Sequence, residues 1–336
     1  MDDERRLRPY HDLTPDRLLD ALAAVGYAGD GRILALNSYE NRVYQVWLDD
    51  GDCVVAKFYR PGRWSDSQIL EEHAFAAELA AAEVPVVAPL SRDGVTLHHA
   101  ADHRFAVYPR RGGRTPELED RDVLLRIGRF IGRIHTVGAR QPFAQRPPLD
   151  VERLGSEPRD YLLQHDWIPA ELQPAWREIA ERAIARTRAA FEELGGQIDA
   201  IRLHGDVHAG NVLWTDAGPH FVDLDDACNG PPVQDLWMLL SGDRDDANRQ
   251  LARLLRGYEE FRELDRRELR LIEPLRTLRL LHYSAWIARR WDDPAFPVAF
   301  PWFGTQRYWQ DRIIELREQV ALLDEPPLAP DALRDD

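Results

Sequence analysis

The feature that most constrains this chain is a polar loop motif in its second half. The segment reads His204-Gly205-Asp206-Val207-His208-Ala209-Gly210-Asn211, so a carboxylate and an amide lie five residues apart. Apolar residues flank the loop, and its two glycines permit the backbone angles of a tight turn. A loop held between short strands can direct Asp206 towards a hydroxyl proton as a base. Because these residues are also ordinary turn formers, a hairpin without chemistry is the alternative.

A second acidic segment favours the chemical interpretation. Asp223 stands twelve residues after Asn211, where the apolar run Phe221-Val222 ends. Mg²⁺ prefers hard oxygen ligands, which an amide and a carboxylate supply. An Asp, an Asn and a later Asp in this order are what phosphoryl transfer from ATP needs. The sequence therefore predicts Asp206 as the base, and Asn211 and Asp223 as ligands of a catalytic magnesium ion.

The first third of the chain carries a candidate phosphate-binding cation. Lys57 lies in the apolar run Val54-Val55-Ala56-Lys57-Phe58, where its charge is costly unless it meets an anion. Phosphate oxygens and a glutamate of the following helix, predicted over residues 66–82 from a capping box, are suitable partners. On this helix Glu72 shares the apolar stripe and faces the sheet, whereas Glu71 faces solvent. A strand lysine that reaches water along its own stem is the alternative.

A polar turn separates the first two predicted strands, 32–36 and 42–48. Within it, Ser38 and Asn41 could offer a hydroxyl and backbone N–H groups to phosphates. The turn contains no G-x-G-x-x-G motif, and a hairpin without a ligand is the alternative.

The predicted elements divide the chain into two domains and a tail. Further strands are predicted at 52–59, 95–98 and 105–108. Helices are predicted at 13–25, with Thr14 as its cap, at 123–135 and at 176–194, and another is predicted to begin at 236–240. A break at Pro109-Arg110-Arg111-Gly112-Gly113-Arg114 separates an N-terminal domain, 1–109, from a C-terminal domain, 110–324. The tail, 325–336, is expected to be disordered.

Composition narrows the functional classes. A net charge of −15 argues against a nucleic-acid binder or a protein of anionic membranes. The two cysteines show no metal-ligand or redox spacing, and no signal segment or membrane-length apolar run is present. We therefore expect a cytoplasmic protein and a monomer. His204 and His208 raise a zinc alternative, but no third ligand follows at a suitable spacing.

These motifs together resemble the aminoglycoside phosphotransferase and choline kinase branch of the protein-kinase-like fold. The matching order is Lys57, Glu72, Tyr108, the loop 204–211 and Asp223. The resemblance implies an α+β, bilobal fold: a small lobe, with an antiparallel sheet and one helix, covers ATP, and a large, mainly helical lobe binds the acceptor.

The resemblance also implies individual roles. Lys57 would hold the α- and β-phosphates and Ser38 would touch them from its loop. Tyr108 would mark the hinge beside the nucleotide, and Asp225 would act as a second acid near the metal. Three segments, 36–44, 203–214 and 222–237, are similar to bacterial cytoplasmic Ser/Thr protein kinases of the stress response.

Departures from ordinary protein kinases leave the acceptor open. Only eleven residues separate Asp223 from Asp235, too few for an activation segment that seats a peptide. A small-molecule kinase for an amino alcohol, choline, a sugar or an aminoglycoside is therefore one alternative. A binding module without activity is another, although its catalytic residues would usually have degenerated. Asp235 itself is predicted to cap a helix, and it could in addition brace the loop 204–211 by accepting its backbone N–H groups.

Overall fold

Short runs rich in apolar residues in the first third of the chain form an antiparallel sheet. In the computed structural model, which describes residues 9–100 and 102–330, five strands pair in the order β1-β2-β3-β5-β4. They are β1 (Gly29–Leu36), β2 (Arg42–Leu48), β3 (Cys53–Phe58), β4 (His98–Ala100) and β5 (His103–Pro109). Four of the five strands overlap their predicted positions closely.

The strand predicted at 95–98 is wrong. Asp93 and Gly94 both have positive φ, 52° and 81°, and form a tight turn. Arg92 and Val95 exchange two backbone hydrogen bonds of 2.9 Å across this turn. Val95 therefore closes the turn through its backbone instead of pairing with another strand, and β4 begins only at His98.

Two helices accompany this sheet, and both begin at predicted caps. In α1 (Pro15–Ala24) the Thr14 hydroxyl accepts from Arg17 N. In α2 (Asp66–Ala81) the predicted capping box is confirmed, because Ser65 and Gln68 exchange both bonds. Glu72 lies on the buried stripe of α2 as predicted, with 2% of its surface exposed.

The chain divides by contacts into two compact units. The first comprises Met1–Pro116 and Gly210–Asp225, and the second comprises Glu117–Ala209 and Asp226–Asp336. The first unit thus includes a segment that the sequence division assigns to the C-terminal domain. This segment forms a hairpin of two strands, β7 (Val212–Thr215) and β8 (Gly218–Phe221). Phe221 N donates to Pro85 O at 2.8 Å and Phe221 O accepts from Val87 N at 3.0 Å, so the hairpin is bonded to the segment that follows α2.

The second unit is mainly helical. Its helices are α3 (Arg121–Gly138), α4 (Glu157–Gln164), α5 (Gln173–Leu194), α6 (Gln234–Trp237), α7 (Arg244–Tyr258), α8 (Ile272–Ala288), α9 (Ala295–Ala299) and α10 (Gln306–Leu322), with the strand pair β6 (Ile201–Leu203) and β9 (Cys228–Gly230). Apolar residues of α5, α8 and α10, among them Trp176, Leu281 and Trp309, form its main core. No helix among the described residues is long and apolar enough to cross a membrane.

The helix predicted at 236–240 is wrong in extent. α6 ends at Trp237, and the next helix begins only at Arg244. Gly242 between them has φ +82°, and Asp243 caps α7 through a capping box with Asp246. The positive φ and the new cap separate the two helices.

The last described residues contact α7. Arg244 donates to the carbonyl oxygens of Pro326 and Pro327, and Asn248 accepts from Ala329 N. The tail predicted to be disordered begins at 325, and its residues 331–336 lie outside the described part of the chain.

Candidate active site

Lys57 lies in the middle of the sheet with its ammonium group buried. The β3 register pairs it with Val43 on one side and Ala106 on the other. Its Nζ atom lies 2.9 Å from Asp223 Oδ1 and 2.7 Å from Asp225 Oδ1. Burial opposes the charge, but these two carboxylates raise the pKa of Lys57 well above its usual value. Lys57 is therefore buried on an apolar strand, as the sequence suggested, and its ammonium group is paired with two carboxylates.

Asp225 is buried among protein donors. Besides Lys57, Arg63 Nη1 lies 2.8 Å from its Oδ2 atom and Asn41 Nδ2 donates to that atom at 2.6 Å. Burial would raise the pKa of Asp225, but Lys57 and Arg63 hold it well below its usual value. Because both oxygens of Asp225 already contact nitrogen atoms of the protein, this carboxylate is better suited to hold the cations in position than to bind a metal ion.

Asp223 differs from Asp225 in exposure and backbone. Half of its side chain (51%) is exposed, and its φ of +63° is in the left-handed region that non-glycine residues rarely adopt. Val222 N donates to Asn211 O at 3.0 Å, so Asn211 and Asp223 flank the open end of the β7–β8 hairpin. One accessible carboxylate near one amide fits Mg²⁺, which keeps several waters and phosphate oxygens in its shell.

The predicted phosphate-binding turn is held by an arginine. Arg60 donates through Nε to Glu40 O at 2.9 Å and through Nη2 to Tyr39 O at 3.2 Å. Asn41 Oδ1 accepts from Arg60 N, while its amide nitrogen is on Asp225. The Asn41 side chain is thus used to shape the turn, whereas Ser38 is half-buried within it.

Glu72 and Tyr108 both lie close enough to Lys57 to act on its charge. Glu72 acts on Lys57 as a nearby negative charge, and its direct pairing with Lys57 stays a prediction. The Tyr108 hydroxyl is 3.0 Å from that of Tyr59, which is 2.8 Å from His73 Nε2. Burial raises the pKa of Tyr108 well above its usual value, so the hydroxyl remains protonated.

In the second unit, Asp206 lies between an arginine and a histidine. Arg279 Nη1 donates to Asp206 Oδ1 at 2.8 Å, and His208 Nε2 is 3.4 Å from Oδ2. Burial raises the pKa of Asp206, but His208 and Arg279 lower it more, so the carboxylate is ionised at neutral pH. An ionised carboxylate is the state that can accept a hydroxyl proton.

Asp235 braces the catalytic loop, as predicted. Its two oxygens accept from His204 N and Gly205 N, both at 2.8 Å, and His135 Nε2 lies 3.0 Å from one of them. The N-cap predicted for Asp235 is wrong, because α6 begins at Gln234 and has its N-cap at Val233. Gly205 has φ +88°, and a Cβ there would lie 2.1 Å from Asp226 O. The brace and the glycine together determine the shape of the loop.

Sequence reasoning missed three arginines. Arg60 and Arg63 follow β3 in the run Tyr59-Arg60-Pro61-Gly62-Arg63-Trp64, and two cations so close to Lys57 were a usable signal. Arg279 lies 73 residues from Asp206, and no local pattern marks it. For the zinc alternative, residues 9–100 and 102–330 contain no group of three or more His, Cys, Asp or Glu that could hold a metal.

Comparison with known proteins establishes the class. A model of the phosphotransferase enzyme family matches residues 32–272, and the chain therefore belongs to this family of kinases. It is 47% identical to stress response kinase A of Escherichia coli (strain K12) over 319 residues, which cover 95% of this chain and 96% of that protein. It is 44% identical, with the same coverage, to the serine/threonine protein kinase RdoA of Salmonella typhimurium.

Solved structures confirm the predicted α+β, kinase-like fold. The amicoumacin kinase hAmiN, in complex with AMP-PNP, Ca²⁺ and Ami, matches with a TM-score of 0.72 at 17% identity, covering 98% of this chain and 97% of its own. A microcompartment-associated aminopropanol kinase matches with a TM-score of 0.67 at 21% identity, covering 91% and 96%.

Proposed function

We propose that this kinase is an ATP- and Mg²⁺-dependent Ser/Thr protein kinase that acts in bacterial stress response in the cytoplasm. The observation that carries the phosphotransferase chemistry is the buried Lys57 ion pair with Asp223, 2.9 Å long, beside the Asn211 end of the hairpin. The protein acceptor and the stress response are supported by the names of the relatives that share 44–47% of its sequence.

Each polar residue has a role that follows from its surroundings. Asn211 and Asp223 would hold Mg²⁺, which neutralises charge on the transferred phosphoryl group when it is bound. Lys57 supplies a fixed positive charge for phosphate oxygens, and Asp225 keeps that ammonium group in position. Asp206 orients the acceptor hydroxyl and accepts its proton. Ser38 offers its hydroxyl from the turn that Arg60 holds.

Substitution of Asp206 tests the mechanism. Asp206→Ala removes the base but leaves every residue of the nucleotide side, so we expect transfer to fall by about 10²–10⁴-fold with nucleotide affinity retained. Radiolabel transfer to a generic protein such as casein, beside calorimetric titration of Mg-ADP, measures both quantities. Near-wild-type turnover in the variant would falsify the assigned base.

A small-molecule acceptor is the second candidate. The solved structures with the same fold are named for kinases of amicoumacin and aminopropanol. Purified protein is incubated with Mg-ATP alone, with casein, and with a panel of alcohol metabolites. Phosphorylation of Ser or Thr without metabolite turnover supports a protein kinase, whereas turnover of one metabolite far above the protein background supports the second candidate.

A further inference from the structure

A guanidinium group lies on the base itself. Arg279 Nη1 occupies a position 2.8 Å from Asp206 Oδ1, yet 49% of the Arg279 side chain is exposed. The arginine therefore neutralises the base only in part and still presents positive charge to solvent. A hydroxyl that approaches Oδ1 comes next to this charge.

The helix α8 presents Arg279 together with an aromatic surface. Leu278 and Leu281 bury one face of α8, while Arg279 and Tyr283 lie one turn apart on the exposed face. The Tyr283 ring stacks on Trp286, with centroids 5.9 Å apart and an interplanar angle of 17°. A cation followed by a flat aromatic pair can hold an extended segment by charge and by contact.

Arginine side chains cluster near His282 of α8. Burial lowers the pKa of His282, which lies next to Tyr283, to about 4 in spite of the nearby carboxylate of Asp226. Arg153, Arg289 and Arg290 act on the His282 ring in the same direction. Three arginines thus lie near one side chain of α8, in a protein whose net charge is −15.

We propose that Arg279 is a specificity-determining residue that selects acceptors with an anion beside the reacting hydroxyl, foremost Ser/Thr segments flanked by Asp or Glu. The inference rests on the proposed function and names its substrate class. A carboxylate near the hydroxyl pairs with the exposed part of the guanidinium group. An ammonium group in that place is repelled by Arg279, which disfavours amino alcohols and aminoglycosides.

Matched acceptors test the charge preference. Three peptides carry one serine flanked by Glu, Ala or Lys, and two small alcohols, glycerate and 1-amino-2-propanol, carry opposite charges. For the wild type we expect kcat/KM to be on the order of tenfold higher for the Glu peptide than for the Lys peptide.

Two substitutions assign the preference to Arg279. Arg279→Gln should reduce the Glu-to-Lys ratio to near one, and Arg279→Glu should reverse it. Arg279→Gln should also move the acid limb of the kcat/KM profile to higher pH, because Arg279 lowers the pKa of Asp206. Arg276→Gln is the matched control, since Arg276 lies on the same helix but contacts Trp237 and Glu273.

The possible outcomes distinguish failure of the role of Arg279 from failure of the proposed protein-kinase function. Equal use of the three peptides by the wild type, or an unchanged ratio in Arg279→Gln, overturns the role of Arg279. Preference for glycerate over the amine, lost in Arg279→Gln without peptide phosphorylation, supports Arg279 and overturns the protein acceptor. Absence of transfer to every acceptor contradicts the proposed function and this inference with it.

Discussion

At the level of single residues, Asp225 organises the cations around Lys57. Lys57, Arg63 and Asn41 all place nitrogen atoms within 2.8 Å of its oxygens, and the carboxylate is almost fully buried. A buried anion with three donors stabilises the protein only while all of them remain, because each donor is also removed from water. Loss of the carboxylate would leave Lys57 with Asp223 at 2.9 Å and Arg63 with Glu40 at 3.8 Å as their remaining acidic partners.

Asp225→Asn should therefore destabilise the first unit and weaken nucleotide binding together. Breaking a buried ion pair costs about 3–5 kcal/mol of unfolding free energy, and Lys57 loses the group that positions it. Urea unfolding and titration with Mg-ADP measure the two effects. Asp216→Asn, in an exposed turn of the same unit, is the control and should change neither. Normal stability in Asp225→Asn would contradict the anchoring role.

The same substitution has a pH signature. The pKa of Asp225 is lower in the folded protein than its ordinary value of 3.8. Its contribution is therefore fully present above that value and is lost as the pH falls through the folded-state pKa. The loss of stability between pH 5 and pH 2 should be smaller in Asp225→Asn than in the wild type.

At the level of elements, two helices of the second unit approach each other through glycines. A Cβ on Gly128 of α3 would lie 2.1 Å from Leu254 O, and one on Gly257 of α7 would lie 2.0 Å from Leu125 O. Backbone in these positions cannot yield as a flexible side chain can. The two helices therefore contact each other at glycines, although glycine is an unfavourable residue within a helix.

Gly128→Ala tests this packing. Alanine favours a helix by about 1 kcal/mol over glycine, but overpacking against Leu254 should cost about 1–3 kcal/mol and exceed that gain. We expect a lower thermal midpoint, measured by circular dichroism. Gly304→Ala is the control, because its Cβ would meet no atom within 4 Å. A higher midpoint in Gly128→Ala would show that the helices separate without cost.

At the level of the whole molecule, the short link from Asp223 to Asp235 determines how the kinase can be regulated. Its eleven residues form β9 and the start of α6, and none of them is Ser, Thr or Tyr. Activation by phosphorylation within this link is therefore chemically excluded.

Phosphatase treatment should accordingly leave the enzyme active. We expect kcat/KM within about twofold of the untreated protein and linear progress curves without a lag. Intact mass before and after treatment confirms that phosphate was removed. A loss of activity that incubation with ATP restores would point to a regulatory phosphosite elsewhere in the chain.

Most of the fold could be predicted because its signals are local. The cap at Thr14, the capping box at Ser65 and the apolar run of β2 each lie within a few residues, and each was confirmed. The strand and helix predictions that failed, at 95–98 and 236–240, lie beside the turns at Asp93, Gly94 and Gly242, whose positive φ values no apolar pattern records.

The sequence by itself predicted phosphoryl transfer, because Lys57, Asp206, Asn211 and Asp223 have the residue types and the order that this reaction needs. The match to the phosphotransferase enzyme family confirms that class. Only the tertiary structure decided which charges pair. Asp225 meets Arg63 across 162 residues, and Asp206 meets Arg279 across 73. Such pairs depend on which elements pack together, and a linear pattern holds information only about neighbours along one element. The anchor of Lys57 and the cation on the base therefore became visible only in the folded chain.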